Sequence, residues 1–234
     1  MLSVMRRELA SYFHSPVGYI FLAAFYFFAG LGFFTGNLMS QNADISGVYR
    51  YLFSFVLFLV PVLTMRLLSE DRKNKTDQAL LTAPITITGM VIGKFLAATL
   101  IFLLAISVTL VYGLVVAVYA PPGWAAIAGN FVATALLGIS LIAIGMFISS
   151  MTENQVVAAV GGFAAALFLL IVDMFSQIFT QPWILAVVSA ISFYQRYTSF
   201  SMGIFEYANV LFFLSISAVF LFLTIRVFEK RRWS

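Results

Sequence analysis

Few residues in this sequence could do acid–base or nucleophilic chemistry. The 234 residues include no cysteine and a single histidine, His14. A zinc site needs several His, Cys or carboxylate ligands, and a catalytic triad needs a histidine beside its nucleophile. The sequence therefore gives poor support to a metalloenzyme, an intramembrane protease or a lipid-modifying enzyme.

The stretch from Gly89 to Lys94, GMVIGK, comes nearest to a nucleotide-binding motif. A phosphate loop has four residues between its glycines and a Ser or Thr after its lysine. Here three residues separate the glycines, and Phe95 follows Lys94. We therefore expect no cofactor in this chain, and we expect Lys94 to extend toward the membrane surface from the start of an apolar segment.

Ionisable residues are almost absent from the apolar runs; the sole candidate for a buried one is Asp173, near the outer end of the fifth run. A buried titratable group in a membrane segment indicates an ion or proton pathway. A proton relay needs several such groups, so proton-driven transport is weakly supported. Two interpretations of Asp173 stay open, namely a structural role at the membrane boundary and a place on a transport path.

The composition defines the class of protein that must position these residues. Hydrophobic residues make up 62% of the chain and charged residues 9%. Soluble domains are about 45–50% apolar and about 25% charged, and disordered chains are polar. A soluble globular enzyme and a disordered chain are both excluded, and the long apolar runs predict an all-α, polytopic integral membrane protein.

Six apolar runs are long enough to cross a bilayer, which takes about 20 residues in a helix. Eleven of the thirteen Lys and Arg residues lie on one side of these spans, and only Arg50 and Arg196 lie on the other. Positive charge accumulates on the cytoplasmic side, so both termini are predicted to be cytoplasmic in a cell-membrane protein. The predicted spans are residues 17–35, 51–68, 95–119, 127–149, 156–175 and 207–228.

Three segments outside the spans have features of their own. Residues 1–16 predict an amphipathic helix at the membrane interface, with Glu8 on the polar face, opposite the apolar one. This helix either anchors the chain or holds a cytoplasmic partner. Residues 69–88 form a polar cytoplasmic loop, in which Leu80 and Leu81 give a short helix an apolar edge. That loop is either a docking element or a solvated charged loop. Residues 176–206 predict an extracytoplasmic segment with one or two short interfacial or re-entrant helices.

Two further features concern the fourth and fifth spans. Gly138, Gly145 and Ser149 form a ridge of small residues on the fourth span, which favours close helix packing. Glu153 lies in the short turn before the fifth span. It either caps that helix at its positive dipole end or contacts a cytoplasmic partner.

The stretch of residues 66–97, RLLSEDRKNKTDQALLTAPITITGMVIGKFLA, resembles the loop after the second span of ABC type-2 permeases. It is most similar to the branch with the gliding-motility and nitrous-oxide-reductase-maturation permeases. The N-terminal RRELASYFHSPVGYI and the layout of residues 193–233 resemble the same family, so the likeness covers nearly the whole chain. Lys75 and Gln78 depart from the family pattern, whereas the matching residues are Glu70, Thr76, Leu80, Leu81, Pro84, Gly93, Lys94 and Phe95.

The resemblance implies a subunit of six spans that pairs with a second permease copy or a homologous permease. It also implies two cytoplasmic ATP-binding subunits, which hold the ATP and Mg²⁺, and short extracellular helices between spans five and six. The loop after span two would be the coupling helix, with the interfacial helix also touching the ATPase. The residues expected at that contact are Glu70, Asp71, Thr76, Leu80, Leu81, Arg7 and Glu153.

The predicted function is that of a transmembrane permease subunit of an export-type ABC transporter, with the ATPase activity in a partner chain. The bilayer is a partner by composition, a companion protein with an extracytoplasmic domain is a further candidate, and no nucleic acid is expected. Two alternatives stay open. One is a membrane anchor or scaffold that recruits cytoplasmic proteins without transport, and the other is a secondary transporter or channel.

Overall fold

The computed structural model describes residues 2–74, 86–178, 181, 188–201 and 206–232. Helices dominate these residues, and no strand occurs within them. The helices are α1 (Leu2–His14), α2 (Pro16–Phe33), α3 (Ser46–Thr64), α4 (Ser69–Lys73), α5 (Ile87–Ile106), α6 (Val108–Tyr119), α7 (Trp124–Met151), α8 (Gln155–Ile178), α9 (Phe193–Ser201) and α10 (Tyr207–Arg232). A π-helical turn, Phe34–Leu38, continues α2.

Six helical segments in the described part of the chain are long and apolar enough to cross a membrane. The shortest has 21 residues, and a helix of about 20 residues spans the hydrocarbon core. The prediction of an all-α polytopic membrane protein is therefore confirmed. The segments are Pro16–Leu38, Ser46–Lys73, Ile87–Tyr119, Trp124–Met151, Gln155–Phe175 and Tyr207–Lys230.

The third segment begins at a capped turn. Thr86 is the N-cap of α5, and its side-chain oxygen accepts a hydrogen bond from the backbone N–H of Gly89 at 3.1 Å. This cap satisfies one of the free N–H groups that every helix start carries. The GMVIGK stretch is therefore helical, and Lys94 lies about two turns inside α5 rather than at its start.

α7 is the central helix, and it packs against α3, α5, α8, α9 and α10. Its small residues allow this close approach. A Cβ atom added at Gly138 would lie 2.0 Å from the ring of Phe102 in α5. One added at Gly145 would lie 2.2 Å from the hydroxyl of Thr64 in α3. The predicted small-residue ridge is thus the surface on which the neighbouring helices rest.

α8 and α10 carry the largest outward-facing apolar surfaces. In the most apolar window of each span, 28% of the residues of the α8 span and 17% of those of the α10 span are buried. Lipid tails are as apolar as leucine, so such surfaces are stable in a bilayer. These two helices lie at the periphery, and α7 holds the bundle together.

α9 lies in the segment between the fifth and sixth spans and packs on α7, α8 and α3. The hydroxyl of Tyr197 donates to the backbone oxygen of Tyr49 at 2.9 Å and lies 2.9 Å from the hydroxyl of Thr134. Burial raises the pKa of Tyr197, against the opposing effect of its hydrogen bond with Thr134. The phenol therefore stays neutral and holds α9 to α3 and α7.

Adding one methyl group to the α7 ridge should destabilise the bundle. We expect Gly138→Ala and Gly145→Ala each to lower the free energy of unfolding by about 1–3 kcal/mol, the usual penalty for overpacking a core. The ring of Phe102 is fully buried and Thr64 is stiff at χ1, so neither can move aside easily. The measurement is unfolding of the purified protein in detergent.

The matched control is Gly47→Ala, because a Cβ atom at Gly47 would have no heavy atom within 4 Å. This variant should be as stable as the unchanged protein. Equal free energies of unfolding for all three variants would contradict the close packing of α7 against α3 and α5.

Candidate functional site: a charged face around a buried lysine

The ammonium group of Lys94 is buried at one end of the bundle. The residue is 2% exposed, and Nζ lies 2.7 Å from Oε1 of Glu8 and 2.8 Å from Oδ2 of Asp71. Nζ also donates to the backbone oxygen of Leu67 at 2.8 Å. The expectation that Lys94 extends to the membrane surface is wrong, because the early start of α5 places the residue beneath α1 and α4.

The three charges come from three separate helices. Glu8 is in α1, Asp71 in α4 and Lys94 in α5, and the two carboxylate side chains are 13% and 16% exposed. A buried ammonium is strongly unfavourable unless it is paired and hydrogen-bonded. Arg7 adds a second positive charge 3.5 Å from Glu8, which balances the second carboxylate. The pairing therefore fixes α1, α4 and α5 relative to one another.

The same helices satisfy the carbonyl groups at the end of α3. Tyr12 of α1 donates its hydroxyl to the backbone oxygen of Leu63 at 2.9 Å. Burial, with a smaller contribution from the Glu8 charge, raises the pKa of Tyr12, so the phenol keeps the proton that it donates. The last carbonyls of a helix have no partner within the helix, so such bonds stabilise its end.

Ser149 of α7 binds the turn between α3 and α4. Its hydroxyl accepts from the backbone N–H of Leu68 at 3.2 Å and of Ser69 at 3.1 Å. It also donates to the backbone oxygen of Met65 at 3.1 Å. One side chain thus holds three backbone groups of this turn, which attaches the start of α4 to α7.

Two further ion pairs surround this turn. The guanidinium of Arg66 forms a two-point contact with Glu70, with distances of 2.6 and 2.9 Å. Arg72 donates to the backbone oxygen of Ser150 and to Glu153, both at 3.2 Å. Since the Glu153 side chain is 66% exposed, its pair with Arg72 contributes at most about 1 kcal/mol.

A polar cavity of about 260 Å³ opens between α1 and α4 at this end of the bundle. Among the residues that line it, the arginines and Lys94 balance the carboxylates. The described residues contain no group of three potential metal ligands. The arrangement is therefore suited to holding helices in register and to presenting paired charges on a surface. We call Arg7, Glu8, Arg66, Glu70, Asp71, Arg72, Lys94 and Glu153 together the charged face.

The charged face includes all four of the predicted contact residues that the structure describes. Arg7, Glu70 and Asp71 line the polar cavity. Glu153 belongs to the same face because it forms an ion pair with Arg72 of α4. The other predicted contact residues, Thr76, Leu80 and Leu81, lie outside the described residues.

Asp173 lies far from the charged face, at the other end of α8. It is 8% exposed, and its Oδ1 accepts a hydrogen bond of 2.6 Å from the hydroxyl of Ser192. About twenty residues of helix separate it from Glu153, which corresponds to about 30 Å. The contact with Ser192 connects α8 to the segment before α9.

Sequence reasoning missed Glu8 and Tyr12 as members of this site. The helical pattern of residues 1–16 assigns Glu8 to the solvent side, because an amphipathic helix is oriented by its apolar residues. The available signal was the presence of opposite charges near the ends of three segments on the same predicted side. Nothing in the sequence paired Glu8 with a lysine 86 positions away.

The six apolar spans define a polytopic helical membrane protein, and the charged face lies at one end of it. The family model described as ABC-2 family transporter protein matches residues 10–233, and this chain belongs to that family. Such a protein is the membrane component of an ATP-binding-cassette transporter, and the family implies association with an ATP-binding subunit and with membrane lipid. No curated protein matches the chain.

Removing the buried ammonium should destabilise the protein strongly. We expect Lys94→Met to lower the free energy of unfolding by about 3–5 kcal/mol, because Glu8 and Asp71 then lose the partner that compensates their burial. The measurement is unfolding of the detergent-purified chain. Lys73→Met is the control, since Lys73 is an exposed lysine on α4.

Neutralising the carboxylates should recover part of this loss. The combined variant Glu8→Gln, Asp71→Asn, Lys94→Met removes all three of the charges that pair in this cluster. Because no carboxylate is then buried without a partner, this variant should be more stable than Lys94→Met alone. Equal stability of Lys94→Met and Lys73→Met would contradict the pairing.

Proposed function

We propose that this chain is the permease subunit of an export-type ABC transporter and that a separate ATPase subunit docks on the charged face. The proposal adds the direction of transport and the docking site to the family assignment. The observation that carries the docking site is the attachment of α4 to α5 through Asp71 and to α7 through Ser149.

α4 is the helix that the structure describes at the start of the predicted coupling loop, residues 69–88. Leu80 and Leu81, the predicted apolar edge, follow its last residue, Lys73, in the same loop. A coupling element must pass force to the spans rather than swing freely. The buried Lys94 pair and the Ser149 contacts supply that connection, which supports a mechanical role for this segment.

The contact residues of the proposed interface have different roles. By the sequence prediction, Leu80 and Leu81 would supply the apolar edge that enters the ATPase, and Thr76 would belong to the same contact. Glu70 and Asp71 hold the base of the segment in place through Arg66 and Lys94. Arg7 and Glu153 are exposed at the sides, where side-chain exposures of 55% and 66% leave them able to meet a partner.

Further parts of the proposal follow the family pattern. We propose two ATP-binding subunits that hold ATP and Mg²⁺, a second permease copy or homologue, cytoplasmic termini and a cell-membrane location. The match of Gly93, Lys94 and Phe95 supports the branch with the gliding-motility and nitrous-oxide-reductase-maturation permeases. Asp173 is proposed to adjoin the exit side of the transport path, where a companion protein with an extracytoplasmic domain would bind.

Charging the apolar edge of the coupling segment should release the ATPase. The double variant Leu80→Asp, Leu81→Asp should lose the ATPase subunit during purification in mild detergent, because two carboxylates cannot enter an apolar groove without a large desolvation cost. The measurement is ATP hydrolysis and azido-ATP labelling of the purified complex.

Met39→Asp is the matched control. Met39 is 69% exposed in the connection between the first two spans, so it tests a new carboxylate at the opposite end of the bundle. This variant should keep the ATPase. Retention of full ATP hydrolysis by the double variant would disprove docking at Leu80 and Leu81, and absence of any ATPase from the unchanged protein would favour the scaffold alternative.

The absence of cysteine allows a direct test of orientation. Single substitutions Asn74→Cys and Gln41→Cys place thiols on exposed residues at opposite ends of the bundle. With cytoplasmic termini, a membrane-impermeant maleimide should label Gln41→Cys in intact cells and Asn74→Cys only after lysis. The unchanged protein is the unlabelled control, and the reverse pattern would overturn the proposed orientation.

A further inference from the structure

The third membrane segment consists of two helices rather than one. α5 ends at Ile106, α6 begins at Val108, and Ser107 forms a turn between them. Ser107 has φ −60° and ψ −23°, and its backbone oxygen accepts a hydrogen bond of 3.1 Å from the N–H of Leu110. These dihedral angles and a bond to the third residue along are those of a 3₁₀ turn. A 3₁₀ turn inside a long helix often marks a hinge.

Hydroxyl groups satisfy the backbone around this break. Ser107 donates its hydroxyl to the backbone oxygen of Leu104 at 2.7 Å, and Thr109 donates to that of Ile106 at 2.6 Å. Tyr26 of α2 also donates to the Leu104 oxygen, at 3.4 Å, so the break lies beside the middle of α2. A carbonyl group without a donor is strongly unfavourable at membrane depth, and hydroxyl side chains remove that penalty where a helix is broken. The segment can therefore bend at Ser107 while these carbonyl groups keep their donors.

α6 is packed much more loosely than α5. Three of its twelve residues are buried, compared with twelve of the twenty residues of α5. Most of its other side chains face outward, where they contact lipid whatever the direction of the helix. Segments with few buried contacts are the ones that open at the lowest free energy. α6 is therefore the part of this span that is free to change direction.

Two side-chain contacts tie α6 to its neighbours. The hydroxyl of Tyr49 in α3 donates to the hydroxyl of Thr109 at 2.8 Å, and both residues are fully buried. The ring of Tyr112 stacks on Phe33 at the end of α2, with centroids 4.5 Å apart and planes at 7°. The hydrogen bond lies next to the break, and the stack lies one turn beyond it. Either contact can separate without the loss of a helical turn.

The space for a movement lies between α6 and α2. A cavity of about 360 Å³ separates the ends of these two helices, and Leu38 and Tyr119 line it. On its other side α6 stays close to α7, because a Cβ atom added at Gly113 would lie 3.2 Å from the side chain of Ile127. Residues 120–123 then join α6 directly to α7. A change in the direction of α6 therefore alters its distance to α2 and with it the width of the cavity.

We propose that α6 is a hinged flap that turns about Ser107 and opens the cavity to the bilayer between α2 and α6. The hydrogen bond from Tyr49 to Thr109 is the latch that holds the flap closed, and the structure has the closed position. Opening separates the ring of Tyr112 from Phe33. This movement belongs to the permease chain itself and does not depend on the docking of an ATPase at the charged face.

The absence of cysteine allows the movement to be measured with pairs of spin labels. One label is placed at Leu167 of α8, and the second at either Val118 of α6 or Leu100 of α5, all of them exposed residues. The purified full-length chain is placed in lipid nanodiscs, and the distances are measured by double electron–electron resonance. We expect two distances for the pair with Val118 and one for the pair with Leu100, because the hinge lies between these two positions.

Removing the latch should favour the open flap. Tyr49→Phe deletes the donor hydroxyl and keeps the ring, so the ratio of open to closed flap should rise about fivefold, the effect of one hydrogen bond on an equilibrium. The distance to Leu100 should stay the same, which shows that the bundle is intact. A single, unchanged distance to Val118 in this variant would overturn the proposal.

A change at the hinge should act in the opposite direction. Ser107→Ala removes the hydroxyl that occupies the Leu104 oxygen and introduces the best helix former, so a continuous helix is favoured and the open flap should become rarer. Ser215→Ala is the matched control, because Ser215 also donates to a backbone oxygen of its own helix, that of Leu211 in α10. This control should leave both distances unchanged. An open population that stays the same or rises in Ser107→Ala would overturn the assignment of the hinge.

Discussion

The buried ammonium of Lys94 is the constraint on which the charged face depends. An ammonium group removed from water must meet anionic or carbonyl oxygens, and here they come from Glu8, Asp71 and Leu67. These partners belong to α1, α4 and the turn after α3. The N-terminal helix, the second span and the third span must therefore meet at one place, and the polar cavity is the space left between them.

A close approach of helices makes this meeting possible. Gly145 has no side chain, so Thr64 at the end of α3 lies close against α7. Ser149 is one helical turn further along α7 and therefore reaches the turn after α3. The end of α3 is then satisfied from three sides, by Tyr12, Lys94 and Ser149. Small residues in the spans and polar residues at the boundary are two parts of one arrangement. Loss of either would leave carbonyl groups without partners.

The six spans were predictable from the sequence, whereas the ion-paired cluster of Glu8, Asp71 and Lys94 was not, and the physical reasons differ. The bilayer sets the length of an apolar run, so the six spans follow from local composition. The environment of Lys94 depends on where α5 begins, and that is set by the Thr86 cap in a stretch that hydropathy treats as loop. Glu8 was assigned to solvent by its helical position, because its partner lies 86 residues away and no local pattern encodes that contact. Contacts across elements of this kind need the fold.

The two ends of the bundle differ in the type of interaction that holds them. Ion pairs dominate the charged face, and exposed pairs such as Arg72–Glu153 are sensitive to salt and to a competing partner. Neutral hydrogen bonds join the other end, where Tyr49 bonds to Thr109 and Tyr197 bonds to Tyr49. α3 reaches both ends: Tyr49 near its start bonds to Thr109 and Tyr197, and the backbone oxygen of Leu63 near its end accepts from Tyr12 of α1. One helix therefore joins α1 at the charged face to α9 at the opposite end of the bundle.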